Sequence, residues 1–252
     1  MIEIKEISKS FNGRQILKGV STTFETGHVN LVIGGSGSGK TVLMKSMVGL
    51  VEIDGGEIWY DEKIFSNLER KERKPFRQEI GMVFQGGALF DSLNVEKNVM
   101  FPLNMFTKMS LEEKRERVHF CLKRVNLVNV EKLTPSELSG GMKKRVAIAR
   151  AIAPSPKYLF CDEPNSGLDP QTSIVIDNLI KEITEEFTIT TMVNTHDMNS
   201  VLEIGDKILY VHKGEKWWEG TIEDILKTDN KELNDFIFAS KLAKNIKKTG
   251  LI

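Results

Sequence analysis

Short apolar runs, cut by glycines and charged stretches, fill the first third of the chain. Ile2, Ile4 and Ile7 open one strand, and residues 16–24 predict another that ends near Gly27. Residues 29–33 are a compact apolar run that stops at a glycine cluster. Leu43, Met47 and Leu50 then recur at helical spacing over residues 41–50. Gly55-Gly56 reads as a turn and residues 57–60 as a strand. After a charge-dense stretch at 66–79, residues 80–84 form a further strand. Residues 86–150 are mostly helical, with breaks predicted at Pro102 and Pro135. Residues 158–161 read as a buried strand ending in Asp162-Glu163, 171–186 as a helix and 188–195 as a β-branched strand. Residues 207–213 and 215–220 form a last strand pair, and 222–248 are helical again. Trp217 and Trp218, adjacent in a strand, must face opposite ways, one buried and one exposed. The alternation predicts an α/β fold, a mainly parallel sheet flanked by helices. To it the first strands add an N-terminal antiparallel β subdomain, and residues 86–150 an inserted α-helical subdomain. Residues 1–220 then make up the main domain and 221–252 a C-terminal helical extension.

Composition narrows the picture. The chain has 252 residues, 40% apolar and 28% charged, which excludes a mainly disordered or collagen-like chain and is enough for a core without disulfides or metals. Lys+Arg and Asp+Glu are both 35, so the net charge is zero and no nucleic-acid partner is expected. Cys121 and Cys161 form no C-x-x-C pair and histidines number four, so reduced thiols in a cytosolic compartment fit better than a zinc site. No signal-peptide pattern opens the sequence and no run approaches the roughly 18 apolar residues of a membrane span. The expectation is a soluble chain whose membrane role comes through a partner.

Gly34-Gly35-Ser36-Gly37-Ser38-Gly39-Lys40-Thr41 matches G-x-x-x-x-G-K-[ST] in full, after a predicted strand and before a predicted helix. That context separates it from a flexible Ser/Gly turn. Glycines let the backbone N–H groups turn inward onto phosphate oxygens, and the helix N-terminus adds positive potential. Lys40 is placed for the β- and γ-phosphates of a nucleotide, and the Thr41 hydroxyl for Mg²⁺. A second cluster, Leu138-Ser139-Gly140-Gly141-Met142, precedes a strong helix former run. Taken alone it is either an ordinary Ser-capped helix start or a second anion-facing N-terminus. Asp162-Glu163 at a strand end offers a Mg²⁺ ligand and a neighbouring base for an attacking water, beside the plainer reading of two solvated acids.

The phosphate loop, Gln85, LSGGM, Asp162-Glu163-Pro, Ser166-Gly-Leu-Asp169 and Thr195-His196-Asp197 occur in this order. Together they resemble an ATP-binding cassette (ABC) ATPase over about residues 1–220. More narrowly, LSGGM and GMVFQGGALFDSLNVEKNV are similar to the ATPases of Mla/Mce-type phospholipid transport systems. The resemblance implies a P-loop NTPase core that binds ATP and Mg²⁺ and hydrolyses ATP. It makes Glu163 the general base, with Gln85 and His196 sensing the γ-phosphate, and gives the metal Thr41, Gln85 and Asp162. Ser139, Gly140, Gly141 and Met142 then act on the ATP of a second copy, with Asp169 at the dimer seam unless it is only a turn residue before Pro170. Phe11 falls where the family stacks an aromatic ring on adenine, though a core Phe fits equally. Met142 departs from the usual glutamine and lacks its amide hydrogen bonds. Gly35 and Val42 also depart, without removing a phosphate ligand.

The implied partners are a second copy, an integral membrane permease and an MCE-domain lipid-binding protein, at the cytoplasmic face of the inner membrane. Residues 86–106, rich in Met and Phe, are candidates for a permease-docking face mixed with subdomain core. The tail carries Phe236, Ile237, Phe238, Leu242 and Ile246 with Lys241, Lys244, Lys247 and Lys248. It reads as a helix docking on the neighbouring ATPase or an accessory cytoplasmic subunit, as a contact to anionic lipid, or as a solvated terminal helix. Alternatives to phospholipid transport are the ATPase of another ABC importer or exporter, a non-transport ABC protein, and a non-hydrolysing nucleotide-binding regulator. The last is opposed by intact Lys40, Asp162, Glu163 and His196.

Overall fold

The computed structural model describes residues 1–238; the tail positions Lys241, Leu242, Lys244, Ile246, Lys247 and Lys248 lie outside the described residues. A small antiparallel sheet is built from β1 (Ile2–Phe11), β2 (Arg14–Phe24), β4 (Gly55–Tyr60) and β5 (Lys63–Ile64), in the order β2-β1-β4-β5. The larger sheet takes β3 (Val29–Ile33), β6 (Ile80–Val83), β7 (Tyr158–Asp162), β8 (Thr190–Thr195), β9 (Lys207–His212) and β10 (Glu215–Gly220), in the order β10-β9-β3-β8-β7-β6. All its neighbours run parallel except the edge pair β9 and β10. Every residue of β3, β7 and β8 is buried, as expected of strands covered on both faces.

Alternate side chains of those strands feed two cores. Val32, Phe160, Met192 and Leu209 pack on the small sheet and on α1 (Lys40–Met47). Leu31, Cys161, Val193 and Ile208 face the other core, shared with α3 (Val95–Phe106), α4 (Leu111–Arg124), α5 (Gly140–Ile152) and α6 (Pro170–Glu186). Period-two alternation thus assigns each residue its layer. α2 (Lys74–Glu79), α7 (Met198–Ile204), α8 (Ile222–Lys227) and α9 (Lys231–Ile237) complete the described elements.

Two local expectations are corrected. Gly55-Gly56 lies inside β4, not in a turn. There β1 shifts register between Lys5 and Ser8 and its backbone presses on Gly56, where a Cβ would stand 2.3 Å from the Lys5 carbonyl oxygen. Glycine is needed for that approach and for a φ of +92°. Pro102 lies within α3 and does not end it, because Val99 before it and Leu103 after it are buried in the same core as Val95. Pro135 does break the helical run, into a 3₁₀ turn at Pro135–Glu137. Trp217 is exposed and Trp218 packs on the core, as alternation requires.

Candidate functional site

Four parallel strands end at one edge of the large sheet, and each delivers one part of the site. β3 leads into the glycine loop and α1, β6 leads to Gln85, β7 ends at Asp162 before Glu163, and β8 precedes His196. Gln85, Glu163, His196 and the loop Gly35 to Thr41 line a cleft of about 840 Å³. Phe11 lines it too. Its ring is substantially exposed rather than in the core, with Lys9 Nζ 5.3 Å from the ring centre. Arg14, Ile16 and Phe236 add to the wall, none of them legible as site residues in the sequence.

The loop is fixed by its surroundings. Gly34 has φ +151°, and a Cβ there would lie 2.3 Å from the Val211 carbonyl oxygen, so the strand end admits only glycine. Gly214 N–H donates to the Ser38 carbonyl at 3.0 Å, tying the loop to the β9–β10 turn. Among the described residues no side chain caps the N-terminus of α1, and the buried Ser38 hydroxyl has no partner. The free N–H groups of the first helical turn and the positive end of the helix dipole therefore belong to the cleft, as suits a polyphosphate. Lys40 Nζ donates to the Gly34 and Gly35 carbonyls at 2.8 and 3.1 Å. Burial lowers its pKa, opposed by the charges of Glu163 and Asp162.

Asp162 is buried, and its Oδ1 accepts from Asn194 Nδ2 at 3.0 Å and from Thr41 Oγ1 at 3.4 Å. A hydroxyl and a carboxylate oxygen side by side form the hard-oxygen pair that suits Mg²⁺. Glu163 holds φ +47°, in the left-handed region, and its N–H donates to the Asn194 carbonyl at 3.0 Å. Its carboxylate accepts from Gln85 Nε2 at 2.8 Å and from His196 Nδ1 at 3.1 Å. A carboxylate only accepts, so the proton of a neutral His196 sits on Nδ1. Gln85 thus reaches Glu163 rather than the Thr41–Asp162 pair. Sequence reasoning passes over Asn194, which orients both acids; the available signal was an amide inside an otherwise apolar and β-branched strand.

Ser139, Gly140, Gly141 and Met142 do not line this cleft. Ser139 Oγ accepts from Met142 N–H at 3.2 Å and caps α5. Gly141 packs so closely on α6 that a Cβ would stand 2.7 Å from Thr172 Cγ2. Thr172 in turn donates from N and Oγ1 to Asp169, at 3.0 and 2.5 Å, so Asp169 caps α6. Those bonds hold the Asp169 carboxyl below the usual range. The LSGGM loop and Asp169 therefore sit side by side, away from the chain's own cleft.

Residues 86–106 divide between core and surface. Val99, Met100 and Leu103 are core, while Phe90, Phe101 and Met105 are exposed along an apolar groove of about 510 Å³ that also takes in Leu50 and Phe84.

The sequence pattern of the ABC transporter family matches residues 17–166. Methionine import ATP-binding protein MetN of Clostridium tetani is 38% identical over 248 residues, 97% of this chain and 77% of that protein. MetN of Carboxydothermus hydrogenoformans is 40% identical over 228 residues, 89% of this chain and 67% of that one. Among solved structures, the dimeric bacterial ABC transporter cassette MJ0796 superposes with a TM-score of 0.82 at 34% identity, covering 88% of this chain and 99% of its own. The same cassette is also known in a post-hydrolysis state bound to ADP and Pi.

Proposed function

Because the chain belongs to the ABC transporter family, as an ATP-binding subunit that hydrolyses ATP, we propose that it drives an importer of a small amino acid of the methionine type. The observation that carries the site assignment is the Glu163 carboxylate gripped by Gln85 and His196 in the cleft of the phosphate loop. The import reading rests on the names of the relatives. Those relatives give no support to the phospholipid reading or to an MCE-domain partner, which the amino-acid importer replaces here.

The loop N–H groups and Lys40 hold the β- and γ-phosphates, and Phe11 offers a ring face to the adenine. Thr41 and Asp162 would hold Mg²⁺, with Gln85 joining them only on turning its amide away from Glu163, and the ion would supply charge neutralisation at the phosphates. Glu163 takes the proton of the attacking water. His196 and Gln85 fix the angle of that carboxylate and reach the γ-phosphate side, so the base is in place only when both loops are closed on it. Asn194 holds Asp162 through its side chain and Glu163 through its carbonyl.

The LSGGM loop completes the cleft of a second copy, as in the dimeric cassette that resembles this chain. ATP then closes two chains around two nucleotides, and hydrolysis opens them. The apolar groove beside Gln85 receives a permease segment, which puts the chain at the cytoplasmic face of the membrane. The test is uptake of labelled methionine into vesicles holding this chain with its permease. ATP-dependent uptake that Glu163→Gln abolishes is expected. Phospholipid transfer without methionine uptake would overturn the import reading and restore the phospholipid one.

A further inference from the structure

α5 carries two buried cations that grip the backbone leaving β6. Arg150 donates to the carbonyls of Gly87 and Ala88, both at 2.7 Å. Lys144, 6% exposed, donates from Nζ to the Gln85 carbonyl and lies 3.4 Å from both the Glu163 carbonyl and Ser166 Oγ. Ser166 Oγ is itself 3.4 Å from the Gln85 carbonyl. One ammonium thus ties together the loop of Gln85, the turn of Glu163 and the segment leading to Asp169. Glu163, in this knot, and Ala88, under Arg150, are non-glycine residues in the left-handed region, at φ +47° and +46°. Such conformations persist only where the surroundings hold them.

We propose that Lys144 is a positioning residue for ATP hydrolysis. It touches no nucleotide; it holds the main chains of Gln85 and Glu163 so that the Gln85 amide meets the Glu163 carboxylate. Because Lys144 rides on the helix that begins with the LSGGM loop, it also links the contact with a second copy to the geometry of the base in its own cleft. Burying an ammonium costs free energy unless its donors are used, and here three backbone or hydroxyl oxygens surround it. Methionine, unbranched, uncharged and one atom shorter, keeps most of the packing and loses the ties.

The inference rests on Glu163 as the base, and the test separates the two. In the full chain, Lys144→Met is expected to lower kcat about tenfold to a hundredfold while the ATP Kd stays within about twofold. Lys144→Gln, which retains an N–H donor, is expected to recover a large part of kcat. In a Glu163→Gln background, adding either Lys144 substitution is expected to cost nothing further, since both act through one carboxylate. The melting temperature and the ATP isotherm of each variant report its folding. Should Lys144→Met not fold, Lys144→Leu, which also lacks the donor, carries the same cycle. A kcat unchanged in Lys144→Met, an ATP affinity that falls in step with kcat, no recovery by Lys144→Gln, or a multiplicative loss in the Glu163→Gln background would each overturn the proposal. A Glu163→Gln chain that turns over normally would instead remove the base assignment itself.

Discussion

Two helices of this chain begin after a Ser/Gly cluster, and the structure treats them in opposite ways. α1 starts with no side-chain cap, its first turn lining a cleft that also holds Gln85, Glu163 and His196. α5 starts with Ser139 capping the Met142 N–H; Gly141 lies against α6 and Gly140 against Leu168, next to Asp169. The first junction leaves its donors for a ligand and gathers the reacting groups around it within one chain. The second lines no part of that cleft. On the proposed reading, the groups that complete the second N-terminus belong to another copy.

The largest effect should come from the first junction's neighbours. Glu163→Gln is expected to lower ATP turnover about a hundredfold or more while ATP still binds and holds two copies closed; normal turnover would break the assignment. Lys40→Ala should weaken ATP binding about tenfold to a hundredfold, read by titration, because a charge-assisted contact to phosphate is lost. The same titration on Ser139→Ala should show no change for a single chain, and turnover of the dimer should fall. An ATP Kd that moves in both would erase the contrast between the junctions.

Smaller effects sharpen the second side. Asp177, on the α6 helix that Asp169 caps, is almost fully buried with no partner for Oδ1 among the described residues, and burial pushes its carboxyl up to about 6. The folded chain holds this proton more tightly than the unfolded one, so its contribution to stability is full below about pH 4 and is lost as pH rises through about 6. Asp177→Asn should therefore stabilise the chain at pH 8 by about 3 kcal/mol, with melting curves converging below about pH 4. Equal melting at pH 8 would show that burial does not raise the Asp177 carboxyl. Smallest is the cap itself: Ser139→Ala should cost about 1 kcal/mol of unfolding free energy.

The site was legible where chemistry is written in contiguous residues. The G-x-x-x-x-G-K-[ST] loop, the Asp162-Glu163 pair at an apolar strand end and the run after LSGGM each specify a strand, turn or helix start from neighbours alone. Gly56 and Pro102 were misread because each obeys a distant contact, one the bulge of β1 and the other the core on both sides of α3. Asn194 and Lys144 were passed over because an amide in a strand and a lysine on a helix are ordinary until their partners are known.

The sequence by itself determined the α/β order of elements, the alternation that sends side chains to two cores, and the phosphate-binding loop, since all three follow from periodicity and local backbone freedom. The tertiary structure alone decided that Gln85, Glu163 and His196 meet, that Asn194 and Lys144 hold them, and that the LSGGM loop lies away from its own cleft. Those facts depend on parallel strands from distant parts of the chain ending at one edge, and a one-dimensional pattern carries no measure of that distance.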